Sequence, residues 1–134
     1  SSGLINLGGN VYAMGRKEGG GKWKIGITDP GSARSECFDT IEAEDEAVST
    51  SGPYQRFFEE DGRIYHHILD SRTGYPVESD IISATVIAPL SAYSDAYATA
   101  LYAMGLERAL DFARSKGLKA VLLTRSGEEY RVNI

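Results

Sequence analysis

The sequence predicts an α+β domain, a mostly antiparallel sheet with two helices near the C-terminus, on three observations. Short β-branched or alternating runs recur up to Pro89, separated by Gly-Gly, glycine-rich and Asp-Gly turns. Two helical stretches then follow, closed by Gly105 and Gly117. The 134 residues, 42% of them hydrophobic, are enough for one compact domain with a core and too few for two.

Leu4–Leu7 and Val11–Met14 flank Gly8-Gly9-Asn10, a pair of strands meeting at a turn that tolerates positive φ. Gly15 to Lys22 carries four glycines and leads into Trp23-Lys24-Ile25-Gly26-Ile27, whose alternation predicts a second hairpin ended by Asp29-Pro30-Gly31. Cys37, Phe38 and Ile41 precede an acidic loop and Ala47–Thr50 follows it, giving two further short strands. Tyr54, Arg56 and Phe58 alternate with Gln55, Phe57 and Glu59, and Asp61-Gly62 turns the chain into Arg63-Ile64-Tyr65-His66, a third hairpin. Ile81–Ala88 is a β-branched run that reads as a buried strand ended by Pro89. Ser91 caps a helix running through Met104, in which Ala92, Ala96, Thr99, Ala100 and Ala103 are small enough for close packing. Leu106 to Lys116 forms a second helix with Leu106, Ala109, Leu110 and Ala113 on one face. Ala120–Thr124 and Tyr130–Val132 are strands joined across Ser126-Gly127.

Charge and composition narrow the function. A net charge of -5, with the acidic stretch Glu36 to Glu46 as the densest charge feature, argues against nucleic acid as a partner. One cysteine, Cys37, excludes an internal disulfide and a multi-cysteine metal site; with no histidine in local reach it reads as a small packed hydrophobe. No stretch reaches the roughly 18 to 20 apolar residues of a membrane helix. The chain opens without methionine on a strand-like segment, which suggests that an upstream part has been removed. Gly19-Gly20-Gly21-Lys22 is followed by Trp23 and lacks P-loop spacing, and no G-x-G-x-x-G occurs.

The chemistry concentrates in Tyr65-His66-His67-Ile68-Leu69-Asp70-Ser71-Arg72-Thr73-Gly74-Tyr75-Pro76, which holds both histidines, an acid and a Thr-Gly-x-Pro turn. Consecutive side chains of a regular strand point to opposite faces, so His66 and His67 do not address one pocket together. Both read equally well as strand histidines with hydrogen-bonded rings. Asp95 and Thr99, spaced i, i+4, place a carboxylate and a hydroxyl on one helical face, a geometry that suits Mg²⁺. The same spacing is met by an acid favoured near a helix start and a threonine bonded back to a carbonyl.

Four segments, in order, resemble successive motifs of the ApbE family, the FAD:protein FMN transferases. They are Asn6-Leu7-Gly8-Gly9-Asn10; Ser49-Thr50-Ser51-Gly52 with Tyr54 and Arg56; His66-His67-Ile68-Leu69-Asp70 with Thr73-Gly74-Tyr75-Pro76; and Ser94-Asp95-Ala96 with Thr99-Ala100-Leu101. The resemblance runs to about Thr124 and corresponds to the C-terminal part of a full-length member. It implies a T-fold-related α+β arrangement and a Mg²⁺-dependent enzyme that splits FAD, attaches FMN to a threonine of a flavoprotein acceptor and releases AMP. By the same resemblance Asp95 and Thr99 are Mg²⁺ ligands, and the backbone around Leu69 touches FAD. His67 is then the histidine nearest the reacting phosphate, able to take a proton from the attacking hydroxyl, while Asp70 orients that histidine or holds the turn that Thr73 continues. The absent N-terminal half of the domain supplies much of the FAD pocket, so the chain is expected to act only when completed by it or by a second chain. A non-catalytic flavin-binding or assembly module is the alternative. The implied location is the bacterial cell envelope, periplasmic or at the outer face of the inner membrane with anchoring through the absent N-terminus, a cytoplasmic one being left open.

Overall fold

A computed structural model describes residues 1–31, 36–54 and 56–134; Gln55, placed above in a strand alternation, lies outside the described residues. Ten strands and two helices are described: β1 (Gly3–Leu7), β2 (Asn10–Met14), β3 (Trp23–Thr28), β4 (Cys37–Ala43), β5 (Glu46–Ser51), β6 (Phe57–Glu60), β7 (Arg63–His66), β8 (Ile81–Ala88), α1 (Ser91–Met104), α2 (Leu106–Lys116), β9 (Lys119–Thr124) and β10 (Glu129–Val132). The expected α+β class is what forms. Six strands make one sheet in the order β1-β2-β5-β8-β9-β10, every neighbouring pair antiparallel.

Strand alternation divides this sheet's side chains between two cores. Ala84 and Val86 of β8, with Ala120 and Leu122 of β9, pack against Ala98, Leu101 and Tyr102 of α1 and Ala109 and Ala113 of α2. On the other face Val48, Ile87 and Val121 meet Ile25, Ile27, Ile41 and Ala43 of the β3–β4 hairpin. The sheet is thus the middle of three layers, and β8 is buried at every position except the partly exposed Ile82.

The turns follow the glycines. Gly8 and Gly9 join β1 to β2 with φ of 64° and 98°, while Asp61 and Gly62, with φ of 50° and 74°, join β6 to β7. Both central residues of each turn are left-handed, as a two-residue hairpin loop requires.

The structure corrects four sequence expectations. The glycine-rich segment after β2 does not join paired strands: β3 pairs forward with β4 in a separate two-stranded sheet. Ser91 is the first residue of α1 and not its cap, since Leu90 occupies that position without a side-chain bond. The packed face of α1 is Ser94, Ala98, Leu101 and Tyr102, spaced by four, three and one, while Ala92, Ala96 and Ala103 are exposed and Thr99 lies at the margin of that face. Full burial of the large Leu101 and Tyr102 outweighs any gain from close approach of alanines, at roughly 1.5–3 kcal/mol for a Leu-sized side chain. Cys37, too, is exposed at the start of β4. Its sulfur lies over Gly26, where an added Cβ would come within 2.4 Å of it.

Three hydroxyl bridges tie β5 to its neighbours. Ser49 Oγ lies 2.7 Å from Ser94 Oγ, Thr50 Oγ1 2.8 Å from Thr85 Oγ1, and Ser51 Oγ 3.0 Å from Thr99 Oγ1. The Ser94 hydroxyl donates to the Ser91 carbonyl at 3.0 Å, so Ser49 is the donor between the two serines. The first and third bridges hold α1 on the sheet in a fixed rotation.

Candidate functional site

That rotation turns Asp95 and Thr99 toward a cleft of about 570 Å³ at the end of β5. The β1–β2 turn contributes Gly8 and Asn10 to its wall, and the end of β5 contributes Thr50 and Ser51. Arg56 enters just before β6 and His67 just after β7. Five separate stretches of chain therefore converge, and among the candidates named from sequence His67, Asp95 and Thr99 are brought together.

Each of the three is held by a definable contact. Asn10 Nδ2 donates to Asp95 Oδ1 at 3.3 Å, which leaves the second carboxylate oxygen without a protein partner among the described residues. Thr99 Oγ1 donates to the Asp95 carbonyl at 3.2 Å and is the acceptor from Ser51, so one lone pair remains for a ligand. The back-bonded threonine weighed above is real and does not remove the hydroxyl from the cleft. Asp95 lies beyond the first turn of α1, which contains no acid. His67 Nδ1 is 3.2 Å from the Arg56 carbonyl, which can only accept; a ring proton is therefore on Nδ1, and Nε2 has no partner among the described residues. The same carbonyl accepts the His67 backbone N–H at 3.2 Å.

His66 is turned the other way. It is buried, its Nδ1 accepts the Ile68 N–H at 3.3 Å, and its Nε2 donates to the Val77 carbonyl at 3.0 Å with the Tyr102 hydroxyl at 3.2 Å. Burial holds its pKa below the usual histidine value, against the opposing pull of the Val77 carbonyl. One imidazole is part of the core and its neighbour faces the cleft, as strand geometry requires.

Leu69, Asp70 and Thr73 do not line the cleft. They build the adjoining turn: Leu69 bridges Pro76, the Asp70 carbonyl accepts the N–H groups of Thr73 and Gly74, and Thr73 Oγ1 accepts the Tyr75 N–H at 3.3 Å. The Asp70 carboxylate binds Arg72, whose guanidinium holds its pKa below the usual carboxylate range. It orients its own turn, and the partner of His67 is a main-chain oxygen.

The donors fit a hard cation in part. Asp95 and Thr99 offer two oxygens one helical turn apart, the ligand type Mg²⁺ takes, with waters and phosphate oxygens completing its octahedron. Among the described residues no group of three or more His, Cys, Asp and Glu side chains could hold a metal. A cation here would take its remaining ligands from water, a substrate or further polypeptide. A second cavity, about 670 Å³, includes Tyr65, His66, Tyr75 and Arg125. It is the larger, yet its histidine is committed to the core; the smaller cleft has the unspent oxygen and nitrogen groups.

Sequence reasoning assigned no role to Asn10, Ser51 or Arg56. Their contribution depends on which segments meet in space, although each lies in a motif singled out above.

Comparison with known proteins gives the following. The ApbE family model matches residues 1–122. The FAD:protein FMN transferase of Treponema pallidum is 40% identical over 121 residues, covering 84% of this chain and 33% of that protein. That of Escherichia coli K12 is 31% identical over 128 residues, covering 96% and 36%. Among solved structures, the ApbE protein of Thermotoga maritima superimposes with a TM-score of 0.88 at 35% identity, over 98% of this chain and 42% of that one. The flavin transferase ApbE of Vibrio cholerae gives 0.79 at 30%, over 96% and 41%. The chain thus spans about a third of the length of these curated relatives.

Proposed function

The chain belongs to the ApbE family, and from that membership we propose that it is part of a catalytic domain that transfers FMN from FAD to a threonine of a flavoprotein acceptor, releasing AMP, with Mg²⁺ as cofactor. The observation that carries this reading is the meeting of His67, Asp95 and Thr99 in one cleft. His67 Nε2 accepts the proton of the threonine hydroxyl as its oxygen attacks the FMN-side phosphorus. The new bond is Thr Oγ–P, the bond broken is the pyrophosphate P–O, and AMP leaves. The Arg56 carbonyl keeps the imidazole in the tautomer that can accept this proton. Asp95 and Thr99 are the residues that would hold Mg²⁺, and the ion would supply positive charge to neutralise a pyrophosphate. The backbone around Leu69 continues the flavin-nucleotide path from the cleft, with Asp70 and Thr73 shaping its turn. The remaining polypeptide, an N-terminal half or a second chain, completes the pocket. A place in the bacterial cell envelope belongs to the same proposal.

The test is transfer by the full-length protein, supplied with FAD, Mg²⁺ and a threonine-bearing acceptor and read as flavin fluorescence in the acceptor's gel band. Asp95→Ala is expected to abolish metal-dependent transfer. His67→Ala is expected to slow it about 10²–10⁴-fold while FAD binding changes far less. Unchanged turnover in both variants would remove these residues from the site. FAD binding by the wild type with no flavin on the acceptor and no AMP would identify a non-catalytic flavin-binding module.

A further inference from the structure

Among the described residues the cleft is lined by one guanidinium, and the mechanism above gives its side chain no task. Arg56 is exposed at the cleft wall, and among the described residues its side chain makes no ion pair. Other arginines are spent on the fold: Arg16 on Glu44, Arg72 on Asp70 and Arg131 on Asp39. The root of Arg56 is fixed all the same, because its carbonyl accepts both His67 bonds. A cation rooted beside the imidazole, in a cleft with a single carboxylate among its lining side chains, is suited to an anion with several oxygens. Its planar fork matches a phosphoryl group bidentately, and hydrogen bonds of this charge-assisted kind are the stronger sort. The Ser51 hydroxyl is committed to Thr99, so it does not compete for that role.

We infer that the Arg56 guanidinium binds the phosphoryl oxygens of the dinucleotide and so selects a diphosphate-bearing flavin over the phosphate-free one. The inference rests on the flavin-transfer reading for the identity of the dinucleotide, and on the cleft alone for the anion. Carbonyl and guanidinium of one residue then perform two separate duties: the main chain sets the His67 tautomer, whatever the side chain, and the side chain meets the phosphates.

That separation makes the test clean. Dissociation constants for FAD, ADP and riboflavin are measured on the full-length protein, wild type, Arg56→Gln and Arg56→Lys, at low and high salt. Arg56→Gln is expected to weaken FAD and ADP binding about 10–100-fold and to leave riboflavin binding unchanged. Arg56→Lys is expected to recover part of the loss, because it restores a point charge without the fork. The salt dependence of FAD binding should flatten in Arg56→Gln. The melting temperature should stay at the wild-type value, since the guanidinium has no partner among the described residues. Equal FAD affinity in wild type and Arg56→Gln overturns the inference, as does an equal loss for FAD and riboflavin. The two readings fail differently. Undiminished transfer by Arg56→Gln sinks the arginine's role alone, whereas Arg56-dependent ADP binding by a wild type that transfers nothing sinks flavin transfer and keeps the anion site.

Discussion

His66 and His67 are neighbours in sequence with opposite electrostatic fates. The buried His66 ring is neutral in the folded chain because desolvation penalises its charged form, and its pKa lies below the unfolded value near 6.5. Below pH 6.5 the unfolded chain takes up a proton that the folded chain refuses. This group's stabilisation is therefore complete above the unfolded value and is lost as pH falls through the lowered folded one. The melting temperature is expected to drop between pH 7.5 and 5.5, and His66→Gln should flatten that step by removing the titrating ring. An equally steep drop in the variant would assign the effect to other groups. At this scale the sequence was legible in one respect: His67, Asp95 and Thr99, singled out for the chemistry each carries, meet in one cleft. It was silent on Arg56 and Asn10, whose roles arise from a main-chain oxygen and from a turn brought against α1.

Elements were most legible where the local signal named both ends. The β-branched run of β8 is bounded by Pro89, and α2 ends at the left-handed Gly117, whose N–H reaches the Ala113 and Arg114 carbonyls. Pairing was less legible, because a glycine-rich stretch such as Gly15 to Lys22 specifies a bend and not the strand beyond it; β3 found its partner in β4. The junction after β5 depends on close approach. A Cβ at Gly52 would lie 2.4 Å from the Tyr54 ring and 2.5 Å from the Ile82 carbonyl, which belongs to the backbone of the central strand. The ring alone could swing aside, but β8 cannot move without disturbing both cores. Gly52→Ala is therefore expected to destabilise the fold by about 1–3 kcal/mol, measured as a lower chemical-denaturation midpoint. A midpoint equal to wild type would mean that the junction has slack.

The two edges of the six-stranded sheet are built differently. β10 presents Glu129 and Arg131, the latter paired with Asp39, charges that discourage further strand addition. β1 leaves Leu4, Ile5 and Leu7 at 44%, 50% and 75% exposure, apolar on both faces. Such an edge invites another strand. The 134-residue chain by itself is expected to self-associate at micromolar concentrations, and Ile5→Lys with Leu7→Lys should shift it toward monomer in sedimentation velocity. A wild-type chain that sediments as monomer across that range would show the edge to be harmless. The hydroxyl bridges that seat α1 on β5 have a different bearing on the whole. Neutral Ser and Thr groups neither ionise in the working pH range nor weaken as electrolyte is added. The seat of α1 on β5 is thus inert to both variables, so acidity and ionic strength reach the cleft through charged or titrating groups, such as His66 against Tyr102 of α1 and Asp95 within the cleft, and through its occupant.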